Sequence, residues 1–237
     1  MAGTISANTI AVTAPFGTDR SLGLTPIIIH TGVSISPSIG VAQNFTNPKV
    51  YTVTAADNST KVYTVTVTVA EAPRVYVPFE TGPGGGVVFY DKGSYSNGWR
   101  YLEAAPSDQS PGIQWYNGVY LAITYTTTIL GSGQANTTDI VASQGTGNYA
   151  ARLCNNLVID TYTDWFLPSS DELNLMYTVL KVNGLGGFAG GSFDKYWSSS
   201  TTDINTGYNA HLQWFVNGTR SVEGKHLNYR VRCARAF

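Results

Sequence analysis

The stretch VYTVTAADNSTKVYTVTVTVA, Val50 to Ala70, alternates apolar residues with threonines on both sides of a short polar segment. A period of two is typical of β-strands, because successive side chains of a strand point to opposite faces. Residues 57–59, Asp-Asn-Ser, separate the two runs and are residue types that form tight turns. The stretch therefore predicts a β-hairpin.

The sequence upstream of this hairpin also has a strand-like pattern. Short apolar runs such as NTIAVTAP and LTPIIIHTGVSISP are interrupted by Pro15, Pro26 and Pro37, and no helical periodicity is visible. Short strands broken by turn signals at this spacing favour a β-sandwich. We therefore predict an all-β domain over residues 1–72.

The sequence pattern changes after EAPRVYVPFETGPGGG, residues 71–86, a segment that contains three prolines and a glycine cluster. We interpret residues 73–84 as a linker. The glycine spacing does not match a phosphate-binding loop. Beyond it, residues 150–157 have helical character, and Ser169 with Glu172 forms an S-x-x-E capping box before a helical apolar stripe. Two helices among strands indicate an α+β domain over residues 85–237.

Composition excludes several classes of function. Charged residues make up 12% of the 237-residue chain, and the net charge is −1. Arg230, Arg232 and Arg235 form the one basic cluster of the sequence, so nucleic acid is not an expected partner. No stretch approaches the roughly 20 apolar residues of a membrane-spanning helix, and no leader is visible at the start. We expect no direct membrane insertion.

Several phrases of the second region occur together and in order: GGVVFYD, DWFLPSSDEL, YWSSST, FVNG and YRVRCARAF. Their combination resembles the lectin-like C-terminal domain of bacterial collagen-like adhesins. That family is similar to retroelement-diversified variable proteins, in which a hypermutated C-terminal segment alters binding. The resemblance covers residues 85–237 and implies a C-type lectin fold with two helices. The phrase NPKVYTVTAADNSTKVYTVTVTV resembles the immunoglobulin-like modules of bacterial surface proteins, with Asn58 where glycine is usual. It implies an immunoglobulin-like sandwich for residues 1–72.

The two cysteines, Cys154 and Cys233, are open to two interpretations from the residues alone, buried free thiols or a disulfide. The resemblance to C-type lectin domains implies that they pair, since that fold typically ties its first helix to its last strand.

Catalytic and metal chemistry find little support in the sequence. The motifs of a calcium-dependent lectin are missing, the three histidines are dispersed, and no G-x-S-x-G elbow occurs. We expect no cofactor and no metal. If both cysteines form a structural disulfide, none is left for an activity like that of the formylglycine-generating enzymes. We therefore expect a protein that is not an enzyme.

The resemblance also implies a binding surface. In the diversified family, fixed residues alternate with variable ones, and their frame can be laid on Ala210, Gln213, Phe215 and Gly218. If Phe215 is the core anchor, Leu212, Trp214 and Val216 point outward, whereas alternation alone would place this trio in the core. The predicted ligand-binding residues are Tyr208, His211, Leu212, Trp214, Val216, Asn217, Thr219, Ser221, Val222, Glu223, His226, Leu227 and Asn228.

These observations lead to one main hypothesis and one alternative. The first is an extracellular, cell-surface or phage-borne protein that binds a protein or cell-surface ligand through its C-terminal segment without metal. Its sharper version is a variable protein of a diversity-generating retroelement. The alternative is a structural subunit of a pilus, phage fibre or cell-surface assembly. An enzyme related to formylglycine generation is the weakest hypothesis.

Overall fold

The structure is a computed structural model that describes residues 2–123, 126–201 and 207–237. The chain divides into two compact units, Met1–Val75 and Tyr76–Phe237. No helix among the described residues is long and apolar enough to cross a membrane.

The first unit is built on one mixed sheet with the strand order β1-β2-β5-β4-β3. Its strands are β1 (Thr4–Ser6), β2 (Thr9–Ala14), β3 (Ser34–Ser36), β4 (Lys49–Thr54) and β5 (Thr60–Val69). The predicted hairpin is formed by β4 and β5, which pair antiparallel from Lys49↔Val65 to Thr54↔Thr60. In its turn, Asn58 has a φ of 64°, a conformation that asparagine tolerates well.

The immunoglobulin-like sandwich predicted for residues 1–72 is not the observed architecture. The strands form a single five-stranded sheet, and the segment that covers it is mostly irregular. Pro26 and Pro37 lie in this segment, and proline has no N–H to donate to a second sheet. The core is small and includes Phe45, Tyr51 and Val65.

The second unit contains two sheets and three short helices in its described residues. Its strands are β6 (Val87–Ser96), β7 (Trp99–Ala104), β8 (Ser110–Ile113), β9 (Trp165–Phe166), β10 (Lys195–Thr201), β11 (Asn209–Trp214), β12 (Arg220–Gly224), β13 (Tyr229–Val231) and β14 (Ala234–Ala236). One sheet has the order β12-β11-β10-β13-β8, and the other has the order β6-β7-β14-β9.

The predicted α+β C-type lectin fold with two helices is therefore wrong for residues 85–237. The region is rich in β-sheet, and its helices are α1 (Gly133–Gln144), α2 (Ala150–Asn155) and α3 (Ser170–Leu175). No sequence pattern predicts α1, because its apolar residues form no stripe along one face of the helix. The helix predicted after Pro168 is only six residues long, since the chain continues as a π-helical turn, Met176–Leu180, and a 3₁₀ turn, Lys181–Asn183.

The capping box predicted in this unit is nevertheless confirmed. Ser169 and Glu172 form the predicted capping box, in which the Ser169 N–H donates to Glu172 Oε2 at 2.6 Å and the Glu172 N–H donates to Ser169 Oγ at 3.3 Å.

Most of the predicted linker, residues 73–84, lies within the second unit. The N–H of Phe79 donates to the Val88 carbonyl at 2.8 Å, and the N–H of Gly84 donates to Glu103 Oε1 at 3.0 Å. A Cβ on Gly84 would lie 2.7 Å from that same oxygen. The glycine cluster thus permits the backbone to approach a buried carboxylate closely, a use of glycine that composition alone does not distinguish from flexibility.

Candidate functional site

The candidate site lies on the five-stranded sheet of the second unit, at the rim of the core that packs on the same face. Trp115 and Trp197 are fully buried there, together with Leu212 of β11. Both indole N–H groups are satisfied: Trp115 donates to the Ser198 carbonyl at 2.8 Å, and Trp197 donates to the Ile113 carbonyl at 3.0 Å. Because these two indoles are both packed and hydrogen-bonded, they give the side chains at the rim of the core a rigid support.

Three tyrosine rings and one imidazole form an exposed cluster at the rim of this core. We call Tyr116, Tyr120, Tyr208 and His226 the tyrosine cluster. The Tyr120 ring contacts the rings of Tyr116 and Tyr208, with centroid distances of 4.7 and 4.6 Å. Its hydroxyl lies 2.9 Å from His226 Nδ1. Tyr208 is 53% exposed and Tyr120 36% exposed, so aromatic surface is presented to solvent.

A second group of side chains lies on the same sheet. We call Lys195, Trp214, Glu223 and Tyr229 the lysine cluster. Lys195 Nζ is 2.6 Å from Glu223 Oε1 and 3.3 Å from the Tyr229 hydroxyl, which itself donates to the other Glu223 oxygen. The ammonium also lies 4.0 Å from the centroid of the Trp214 ring, a cation–π contact.

The two clusters share one face of the sheet. Glu223 of β12 is opposite Ala210 of β11, and Tyr208 precedes Ala210 by two residues. The Lys225 N–H donates to the Tyr208 carbonyl at 2.9 Å, so the ladder continues to that point. Diagonal neighbours on one face of an antiparallel pair are roughly 7–8 Å apart. Tyr208 and Glu223 are therefore within reach of one ligand.

The electrostatics of the lysine cluster favour its charged lysine. Burial lowers the pKa of Lys195, but the hydrogen bonds to Glu223 and Tyr229 outweigh burial, and the pKa is raised. For Tyr229, burial and the hydrogen bond to Glu223 both raise the pKa of the hydroxyl. The raised pKa values keep Lys195 protonated and the Tyr229 phenol neutral at neutral pH.

The predicted outward direction of Leu212 is wrong. Leu212 is 1% exposed and belongs to the same core as Trp197, the residue opposite it on β10. Trp214 shares this face and is half-buried at the edge of the core. The opposite face of β11 is also covered, because Gln213 Nε2 donates to Asn174 Oδ1 of α3 at 2.9 Å. Gln213 is therefore buried although it is polar.

The other predicted binding residues are distributed over three places. His211 and Val222 are directly opposite each other on the face that α3 covers, and burial followed by the charge of Arg220 lowers the pKa of His211. Ser221 is opposite Leu212 and is half-buried. The remaining positions lie at the ends of the strands: Val216, Asn217 and Thr219 follow β11, and Leu227 and Asn228 precede β13.

The structure thus brings Tyr208, Trp214, Glu223 and His226 into the two clusters, and Leu227 packs on the same core. The sequence prediction of the site does not include Tyr116, Tyr120, Lys195 or Tyr229. The stretch WYNGVY, residues 115–120, does place three aromatic side chains in six residues, a density that could have drawn attention to it.

Cys154 and Cys233 form a disulfide, as the resemblance implied. The bond joins α2 to the segment between β13 and β14, and both cysteines are fully buried in the core beneath the candidate site. No group of three or more His, Cys, Asp or Glu residues that could hold a metal ion occurs among the described residues.

The first unit contains an open cavity of about 480 Å³. Its walls are mostly apolar and include Ile10, Val12, Leu24 and Phe45. Sugar hydroxyls would find few hydrogen-bond partners there. The two clusters of the second unit are the better candidate for a polar ligand.

Comparison with known proteins gives one family match. A family model described as "SGBP, N-terminal", the N-terminal module of surface glycan-binding proteins, matches residues 1–67. A crystal structure from Bacteroides thetaiotaomicron, provisionally described as a glycoside hydrolase, is 29% identical over 49% of this chain and 38% of that chain. Its TM-score of 0.28 is too low to support an argument about the fold. The search of curated proteins found no match.

Proposed function

We propose that this chain is a cell-surface or extracellular glycan-binding protein without catalytic activity, and that its second unit binds the glycan at the tyrosine and lysine clusters. The match of residues 1–67 to the N-terminal module of surface glycan-binding proteins supports the surface location and the class of ligand. Carbohydrate replaces the broader protein or cell-surface ligand that the sequence suggested.

The observation that carries this proposal is the exposed tyrosine cluster beside hydrogen-bonding side chains. A sugar ring has an apolar face of C–H groups, which can stack on an aromatic ring, and a perimeter of hydroxyls. Tyr120 and Tyr208 supply aromatic surface, and Glu223, Lys195 and His226 supply acceptors and donors. Apolar surface with a few well-placed polar groups is the usual composition of a small-molecule site.

Binding measurements with the full chain test this assignment. A panel of soluble polysaccharides is screened, and affinity for those that bind is measured by isothermal titration calorimetry with wild type, Tyr208→Ala and Tyr95→Ala. Tyr95 is the matched control, because it is 70% exposed on the β6–β7 hairpin. We expect Tyr208→Ala to weaken binding by about tenfold or more, the loss typical of an aromatic contact at the centre of an interface.

The control variant should bind as wild type does. Equal losses in both variants, or no binding to any polysaccharide, would overturn the proposal. Concentration-dependent oligomers that bury the tyrosine cluster would instead favour the structural-subunit alternative.

A non-catalytic role is supported by the state of Glu223. Hydrolysis of a glycosidic bond generally needs two carboxylic acids that flank the bond. Glu223 is the carboxylate of the two clusters, and Lys195 and Tyr229 engage both its oxygens. We propose that it orients a sugar hydroxyl. Release of reducing ends from a bound polysaccharide, lost in Glu223→Gln, would contradict this.

Diversification by a retroelement is proposed for the C-terminal segment on the resemblance alone. The tyrosine cluster and the lysine cluster draw Tyr208, Trp214, Glu223 and His226 from that segment, which is where a diversified receptor would vary. The test is genomic: a nearby near-identical repeat of the 3′ coding end with mismatches at template adenines is expected, and absence of a repeat would exclude this version.

A further inference from the structure

We infer that the site selects neutral glycans over glycans that carry carboxylates. This inference rests on the proposed glycan-binding function and adds the charge class of the ligand. The inference follows from the ion pair that the charged side chains of the lysine cluster, Lys195 and Glu223, already form with each other.

The ammonium of Lys195 is surrounded by partners within the protein. Glu223 Oε1 and the Tyr229 hydroxyl accept its hydrogen bonds at 2.6 and 3.3 Å. The rings of Trp214 and Tyr229 lie 4.0 and 4.8 Å from it. Its side chain is 12% exposed. A ligand carboxylate could pair with Lys195 only by breaking these contacts.

Three cations on or beside the neighbouring strands, Lys225, Arg220 and Arg230, are likewise engaged by partners within the protein or are buried. Lys225 lies behind the tyrosine cluster, 0% exposed, with its ammonium 4.3 Å from the centroid of the Trp115 ring. Arg220 donates to Asp171 at 2.6 Å on the side of the sheet that α3 covers. Arg230 is bound to Asp194 and Asp108.

Within the ion pair of Lys195 and Glu223, the Glu223 carboxylate is the more accessible charge, with 24% of its side chain exposed against 12% for Lys195. A sugar hydroxyl can donate to this carboxylate, whereas a uronic acid carboxylate would be repelled by it. The faces of tyrosine rings are also the negative side of the aromatic quadrupole, which gives no compensation to an anion. Like charges brought together at an interface lower affinity for the wrong ligand.

The first experiment compares matched polysaccharides with and without a free carboxylate. A neutral polysaccharide that binds is compared with its C6-oxidised polyuronate, and methyl-esterified polygalacturonate is compared with the free acid. We expect each acidic form to bind about tenfold more weakly or not at all. Equal or tighter binding of the acids would overturn the inference and leave the proposed function standing, whereas failure of every glycan to bind would remove both.

The second experiment uses a variant that should shift the ligand preference toward acidic glycans. Glu223→Gln keeps the size of the side chain but releases Lys195, so we expect the polyuronate to bind about tenfold more tightly than it binds wild type. That gain should disappear between about 0.02 and 0.5 M NaCl, because it depends on an exposed charge.

Asp171→Asn is the matched control, because it changes the net charge by the same amount while releasing Arg220 on the opposite face of the sheet. Its affinity for the polyuronate should equal that of wild type. If both variants gain affinity equally, the effect is one of overall charge, and the assignment to Lys195 and Glu223 is wrong.

Discussion

The hydroxyl of Tyr120 lies 2.9 Å from Nδ1 of His226, a residue 106 positions later in the chain. This contact joins an irregular segment between β8 and α1 to the turn between β12 and β13. The Tyr120 ring is also the middle member of the tyrosine cluster. Ring contact and hydrogen bond can therefore be separated by two substitutions at one position.

We expect Tyr120→Phe to retain glycan affinity within about threefold, because it keeps the ring and loses one neutral hydrogen bond. Tyr120→Ala should lose about tenfold or more, because it removes the stacking surface. Calorimetric titration with the same polysaccharide measures both. If the phenylalanine variant loses as much as the alanine variant, the hydroxyl is the more important group and stacking is not the basis of recognition.

Glu172 should make stability depend on pH. Burial raises the pKa of its carboxyl to about 7, although the N–H groups of Ser169, Gly131 and Gly133 favour the charged form. Between about pH 4.5 and 7 the folded state then binds more protons than the unfolded state, so the free energy of unfolding falls as pH rises. The total loss is about 3 kcal/mol.

Urea unfolding of wild type and Glu172→Gln at a series of pH values measures this slope, with the difference between the two proteins isolating Glu172. His211 contributes a slope of opposite sign to both proteins, because burial lowers its pKa and its protonation disfavours the folded state. A difference that is constant with pH would show that burial does not raise the pKa of Glu172 in the folded protein.

The disulfide should be a large part of the stability of the second unit. Its cysteines are 79 positions apart, and breaking a bond that closes a loop of this length typically costs about 2–5 kcal/mol. We expect the Cys154→Ala, Cys233→Ala double variant to unfold at lower urea concentration. Trp99, Trp115, Trp165, Trp197 and Trp214 all lie in this unit, so their fluorescence reports its unfolding. An unchanged midpoint would contradict the expectation.

Two substitutions on and after β11 should differ widely in cost. Leu212→Ala removes a side chain that is 1% exposed and should lower the free energy of unfolding by about 2–5 kcal/mol. Val216→Ala, at a side chain 45% exposed, should change it by less than about 1 kcal/mol. The same tryptophan fluorescence measures both. Similar costs would mean that the burial difference along this stretch is smaller than described.

What the sequence could predict was local. The capping box of Ser169 and Glu172 needs residues three positions apart, and the β4–β5 hairpin needs two runs separated by a turn. In both, the interacting groups are close in sequence, so pattern and structure agree. The lectin-type fold was predicted from a resemblance. The strand content and the strand pairing of the structure overturn that prediction.

Strand β11 shows why one-sided patterns failed at the site. Alternation assigns one face to the core and the other to solvent, but Leu212 packs on the tryptophan core while Gln213 contacts α3. With both faces covered, neither the polarity of Gln213 nor the frame through Phe215 determines exposure. Arg232 is a second example of a polar residue whose burial the pattern does not predict. It is fully buried, and Asp108 pairs with its guanidinium at 2.6 Å. The periodicity of the sequence cannot reveal a partner that lies 124 positions away.

The position of β14 determines when the second unit can complete its folding. Residues Ala234–Ala236 pair with β7 on one side and β9 on the other, so they fill an interior place in their sheet. The two neighbouring strands are synthesised first and cannot be joined until this segment has left the ribosome. This sheet therefore stays open between β7 and β9 until a segment late in the chain closes it, so its completion depends on contacts between residues far apart in sequence.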